Sequence, residues 1–244
     1  MARESKRPGI APGSPGAGRC TALAALGLVS ATVLASGCAT PPPPPEPLDA
    51  GRVALVAESR TQLDRPARIV FQWSMSEQGV RFSGRGIARI EPPYRARLDL
   101  FLPGGETIAR AALVGDDLRI PPGVPEGMIP PGHLLWGTLG VFRPGIGSAL
   151  LGGEDRGSSG TMLRYGFANG DEIRYHLAGV RIRQVELLRG GHVVQSVELE
   201  MEDEGRYPVE ARFRELGAFR ELTLSRESVE YVESYPPDIW NPTR

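Results

Sequence analysis

Apolar and polar positions alternate with period two along much of the chain. From 80 to 91, Val80, Phe82, Gly84, Gly86, Ala88 and Ile90 fall on one face, and Arg81, Ser83, Arg85, Arg89 and Glu91 on the other. That spacing predicts a strand with one buried face, because successive side chains of an extended chain point to opposite sides. Tyr94, Ala96, Leu98 and Leu100 alternate in the same way with Arg95, Arg97 and Asp99, and the Pro92-Pro93 turn between the two runs makes them a hairpin. The same reading predicts strands over 67–76, 107–114, 162–167, 172–177, 181–188, 193–201, 209–214 and 219–225, separated by glycine-, asparagine- and aspartate-bearing turns. About ten antiparallel strands result.

Two segments follow a different pattern. Residues 49–58 open with an Asp N-cap and continue as a short amphipathic helix, weakened by Gly51. Residues 130–142 are too long and apolar for a turn and are read as a short helix or helical loop covering one sheet face. The class is therefore α+β and mostly antiparallel β, a strongly curved sheet with an apolar concave face partly closed by one or two helices forming a lid. Candidates for lining that face are Phe71, Trp73, Phe82, Leu98, Leu100, Leu113, Leu134, Leu135, Trp136, Leu139, Tyr165 and Phe167. A cavity for acyl chains and a plain side-chain core share this pattern, and periodicity does not separate them.

The N-terminus reads as an address. Residues 1–19 are rich in Gly and Pro and carry Arg3, Lys6, Arg7 and Arg19 against Glu4, and the uncharged stretch 20–37 holds Leu23, Leu26, Leu28, Val29, Val33 and Leu34. This is the pattern of a secretory signal rather than a span, which needs about 20 strongly apolar residues. It ends in Leu34-Ala35-Ser36-Gly37-Cys38, which resembles the bacterial lipobox. Cys38 then becomes the lipidated first residue, its sulfur accepting the diacylglyceryl group, and acyl chains hold the protein on membrane lipid. The expected organisation is a signal peptide at 1–37, the lipidated cysteine and a proline-rich tether at 38–47, and one domain at 48–244. An Asp after the cysteine would favour the inner membrane; Ala39 stands there, and the expected location is the outer membrane, facing the periplasm.

Composition removes several function classes. Cys20 and Cys38 are the two cysteines, so the mature domain has no disulfide, thiol nucleophile or thiolate metal site. The whole chain carries 28 basic and 29 acidic residues, and removal of the signal leaves more acid than base, so nucleic acid is not an expected partner. His133, His176 and His192 lack metal-ligand spacing and are read as satisfied or solvent-facing. Gly157-Ser158-Ser159-Gly160 is not a nucleophile elbow. The stretch around Gly145, Gly147, Gly152 and Gly153 lacks the Lys-Ser/Thr of a phosphate loop and reads as a lid or surface loop. The run of Glu198, Glu200, Glu202, Asp203 and Glu204 is a solvated strand face. No catalytic group, metal or cofactor is expected. Phe101 and Leu102, just before the Pro103-Gly104-Gly105 turn, are large apolar residues at a hairpin tip, placed either to enter a bilayer or to fold back on the sheet edge.

The order of 84–90, 94–100, the Leu102-Pro103-Gly104-Gly105 turn, 108–113 and 117–120 behind a lipobox resembles the LolA/LolB superfamily of lipoprotein-localisation factors, on the lipid-anchored LolB side. The resemblance is strongest over residues 80–120. It implies an unclosed β-barrel with a helical lid, whose cavity takes lipoprotein acyl chains from a soluble periplasmic LolA-like carrier and delivers them to the outer membrane. It also implies that Leu102 matches the membrane-inserting leucine. Pro103, the Pro/Gly-rich connection 121–132 and the long proline tether depart from the family pattern. The alternative function is a scaffold lipoprotein that uses the same fold to hold a protein partner.

Overall fold

A computed structural model describes residues 48–242. The expected signal peptide, Cys38 and the tether lie outside the described residues. Helix α1 spans Ala50–Thr61, and its start follows from the cap: the Asp49 carboxylate accepts from the Arg52 N–H at 2.9 Å. Five strands follow, β1 (Ala67–Glu77), β2 (Val80–Glu91), β3 (Arg95–Phe101), β4 (Thr107–Val114) and β5 (Asp117–Arg119). Helix α2 (Gly132–Thr138) comes next. The remaining strands are β6 (Ala149–Asp155), β7 (Thr161–Gly166), β8 (Glu172–Ala178), β9 (Arg181–Arg189), β10 (His192–Glu200), β11 (Glu210–Glu215) and β12 (Arg220–Tyr231).

All twelve strands form one sheet in the order β5-β4-β3-β2-β1-β12-β11-β10-β9-β8-β7-β6, every neighbour antiparallel. Strand β1 pairs with β12, which brings the two halves of the chain together at the middle of the sheet. Edges β5 and β6 are not paired to each other, so the sheet stays unclosed. The expected ten strands become twelve. Strand β5 is three residues long, too short to show a period, and β6 lies inside the stretch read as a glycine-rich surface loop.

The alternation is the burial pattern. On β1, Ala67, Ile69, Phe71, Trp73 and Met75 face inward, and on β3 Ala96, Leu98 and Leu100 do. Two glycines of β2 make room for the largest rings. A Cβ on Gly86 would lie 2.3 Å from the Phe71 ring, and one on Gly84 would lie 1.9 Å from the Phe101 carbonyl. The Trp73 indole fits there, donating to the carbonyls of Arg85 at 3.0 Å and Phe101 at 3.2 Å.

The outer face of β2–β4 carries a buried charge. Asp99 accepts from Arg89 at 2.6 Å and Arg97 at 2.9 Å, and Arg110 stands 3.9 Å away. Arg97 and Arg119 also donate to the carbonyls of Ile239 and Trp240 in the C-terminal 3-10 turn Pro237–Trp240, which pins that turn over the outer face.

Candidate functional site beneath helix α2

Seven residues cannot hold a helix in water on propensity alone, so α2 exists because the sheet covers it. Leu134, Leu135, Trp136, Gly137 and Thr138 are all buried. Its N-cap is Pro131, which supplies no side-chain cap, and Gly140 just beyond its C-terminus sits at φ 72. Tertiary contacts hold it. The Trp136 indole donates to the Gly115 carbonyl at 2.8 Å and meets the Tyr94 ring edge-on at 5.9 Å. The Arg143 guanidinium lies 4.0 Å over the Tyr94 ring and pairs with Asp116 at 3.0 Å, and the Asp116 carboxylate also accepts from the Ile146 N–H at 3.1 Å. These contacts clamp the segment after α2 to the β4–β5 turn.

Between α2 and the concave face lies an apolar slot. Leu135, Thr138 and Leu139 form its roof, and Ile69, Phe71, Ala88, Ala96, Leu98, Ala211 and Leu224 its floor, with Tyr207 and Pro208 at one end. Its cavity volume is about 30 Å³, room for one or two waters and not for an acyl chain. Helix α2 is flanked by the stiff Pro130-Pro131 pair on one side and by Gly140 on the other.

At the unclosed seam an open cleft of about 470 Å³ is lined by Leu55 of α1, Phe142, Arg143, Ile146, Leu150 and Tyr165. Leu55, Ile146 and Leu150 are exposed. The cleft is a mixed surface, in which these apolar side chains stand beside Glu58, Asp116 and Arg143. Burial pushes the Tyr165 phenol up to about 12, so it stays a neutral hydrogen-bond donor.

Of the residues read as lining, Phe71, Leu98, Leu135 and Leu139 line the slot, and Tyr165 lines the cleft. Trp73, Leu100, Leu113, Leu134 and Trp136 are buried in the surrounding core, and Phe82 and Phe167 are half-buried against it. Phe101 and Leu102 are half-buried as well, with Leu102 packed against the core. His176 meets Glu186 at 2.9 Å and His192 is exposed. His133 departs from its expectation: its Nε2 is buried with no hydrogen-bond partner, because the ring lies under Phe167 at 5.9 Å. Burial lowers its pKa, against the opposing pull of Asp116 and Asp171.

Tyr207 is a slot residue that the sequence did not disclose. It is buried, its hydroxyl has no hydrogen-bond partner, and burial pushes its phenol up to about 12. It lies in the β10–β11 connection between Arg206 and Pro208, where no periodicity marks an inward residue. Among the described residues no group of three or more His, Cys, Asp and Glu could hold a metal ion.

No family model and no curated protein matches the sequence. The structure is similar to a crystal structure of a LolA superfamily protein from Nitrosomonas europaea, with TM-score 0.57 and 10% identity over 80% of this chain and 98% of that one. A Vibrio parahaemolyticus domain described as an outer membrane lipoprotein-sorting protein gives TM-score 0.47 at 8% identity, over 79% and 97% of the two chains. The Pseudomonas aeruginosa MucA/MucB complex gives TM-score 0.33 at 10% identity, over 80% and 61%. The first of these shows the fold alone. The other two are too distant to bear on function.

Proposed function

We propose that this chain is a lipid-anchored envelope protein that binds acyl chains beneath α2 and, at the outer membrane, receives or inserts lipoproteins. The observation that carries the proposal is the slot between the concave face and a helix held by few polar contacts, beside an open cleft at the seam that exposes Leu55, Ile146 and Leu150. The LolA-superfamily fold and the lipobox-like Cys38 support it. No bond is made or broken. Each buried methylene contributes about 0.8 kcal/mol, so small differences in lining set the direction in which a chain passes from a soluble LolA-like carrier to this protein and on to the bilayer.

An acyl chain enters at the cleft lined by Leu55, Ile146 and Leu150. The lid then swings about Gly140, and the chain replaces the lid's own contacts with Phe71, Leu98 and Leu224. The polar end of the ligand meets Tyr207, whose hydroxyl is unpartnered in the closed form. A fluorescent fatty acid titrated into residues 48–244 and displaced by an acylated peptide tests this: saturable, displaceable binding is expected.

One observation favours a second reading, in which the chain is a scaffold for a protein partner: the slot holds only about 30 Å³ when closed. Under that reading no acyl ligand binds at any concentration, and the lid is simply part of the core.

A further inference from the structure

The two free edges of the sheet are unlike. Edge β5 is three residues long and charged: Arg119 pairs with Asp117 at 2.7 Å and donates to the Trp240 carbonyl at 3.1 Å, so the C-terminal turn leans against it. Edge β6 has none of these guards. It is seven residues long and pairs with β7 alone, and among the described residues no hydrogen bond reaches the backbone groups on its other side. Residues 144–153 hold no charge and, after Pro144, no proline; charge enters at Glu154 and Asp155, the last two residues of the strand. Natural sheets keep such an edge short or stud it with lysine, proline or inward charge, because an open row of N–H and C=O groups pairs with a strand that reaches it.

Both faces beside this edge carry exposed apolar side chains. Ile146 is 80% exposed, Leu151 55% and Leu150 38%. The register shift between Leu150 and Gly152 marks a bulge, a device that re-aims side chains. Leu150 lines the seam cleft with Tyr165, whereas Leu151 lies against Gly166, where an added Cβ would be 3.1 Å from it. Tyr165 and Gly166 are successive residues of β7 and point to opposite faces, so the two leucines flank the edge on its two sides.

We propose that β6 is a strand-addition site, and that its occupant is the extended polypeptide attached to the acyl chain that enters the seam cleft. The proposal rests on the acyl-binding reading above and gives its cargo a second chemistry. Hydrogen bonding selects the class of occupant, because alternating donors and acceptors along one side of a strand are completed as a ladder by another extended polypeptide. Position selects which polypeptide. Leu150 belongs both to the edge and to the cleft, so a peptide leaving an acyl chain seated against Leu55 and Ile146 starts beside β6. Main-chain bonds to the edge supply affinity across varied peptide sequences, and Leu150 and Leu151 favour uncharged side chains at the facing positions. The chain's own proline-rich stretch is a poor occupant, since Pro41 to Pro45 and Pro47 carry no N–H to donate.

The test uses the mature chain with Cys38→Ser, which removes the acylation site and keeps every described residue. Its ligand is a palmitoylated eight-residue peptide of alternating Thr and Val, compared with palmitoyl-glycinamide, which carries the acyl chain without the strand. Two further peptides are N-methylated on alternate residues, one on the odd amides and the other on the even, because only one of the two sets faces β6 in a ladder. Expected are binding at least tenfold tighter than palmitoyl-glycinamide, loss of that gain with one methylated set and not the other, and amide exchange over Ala149–Asp155 slowed at least tenfold by the peptide. Equal binding of peptide and glycinamide, or equal effects of the two methylated sets, overturns strand addition and leaves acyl binding standing. Slow exchange over β6 before any peptide is added, in a chain that sediments as a dimer, assigns the edge to a second copy and overturns it too. Failure of palmitoyl-glycinamide to bind overturns the acyl reading, and this proposal with it.

Discussion

The Trp136 indole on α2 donates to the Gly115 carbonyl on the β4–β5 turn at 2.8 Å, and this bond latches the lid to the sheet. The ring is fully buried between the helix and Tyr94, so latch and packing act together. Trp136→Phe keeps an aromatic ring and removes the donor, which leaves the Gly115 carbonyl to water or unpaired. Expected is a stability loss of about 1 kcal/mol, faster amide exchange over α2, and fatty-acid uptake accelerated about fivefold, since a closed lid that is weaker by that amount opens more often. Stopped-flow binding and hydrogen exchange check it.

Tyr207→Phe separates stability from binding. The hydroxyl is buried and unpartnered in the closed form, so its removal leaves stability unchanged or raises it by up to about 1 kcal/mol. If that hydroxyl receives the polar end of an acyl ligand, fatty-acid affinity falls about fivefold in the same variant, equal to one lost neutral hydrogen bond. Thermal unfolding and dye displacement read the two effects independently.

Asp99→Ala leaves Arg89 and Arg97 facing one another without their shared carboxylate. Breaking one side of a buried ion cluster costs about 3 kcal/mol. The loss loosens the C-terminal turn as well, because Arg97 also holds the Ile239 carbonyl. Denaturant unfolding measures the first effect, and proteolysis at the C-terminus the second.

Acid weakens the fold through His133. Burial lowers its folded pKa below the ordinary value near 6.5. As pH falls through about 6.5 the unfolded chain takes up a proton that the folded chain refuses, so stability is complete above that value and declines below it until the folded pKa is reached. Asp171, Glu172 and Glu227 have folded pKa values held below the ordinary carboxylate range, by hydrogen bonds from Arg189, Arg164 and Arg85 respectively, and their stabilisation is lost only in stronger acid. His133→Phe therefore removes the slope in melting temperature just below pH 6.5 and leaves the more acidic decline intact.

Period two made the inner faces of β1 to β4 legible, because a one-sided sheet needs that alternation and Phe71, Trp73, Leu98 and Leu100 supply it. Strand β6 was hidden for a physical reason. It is an edge strand with a register shift between Leu150 and Gly152, and Gly152 at φ 148 breaks the period where it would be read. Strand β12 runs six residues past its expected end at Ser225, since the polar stretch Arg226 to Glu230 is extended by its ladder with β1 rather than by burial. The lid was legible as an apolar segment too long for a turn. Tyr207 was not, because a residue placed by tertiary contact in a connection leaves no periodic trace. Phe219 likewise looks like an ordinary strand aromatic until its turn and its φ are known.

Acyl-chain binding beneath α2 is measured by extracting purified residues 48–244 with organic solvent, identifying bound lipid by mass spectrometry, and titrating the stripped protein with a fluorescent fatty acid. Expected are one displaceable acyl ligand per chain, and uptake that quickens in Trp136→Phe. Absence of ligand together with absence of fatty-acid binding, in both the native chain and Trp136→Phe, would contradict it and leave the scaffold reading in its place.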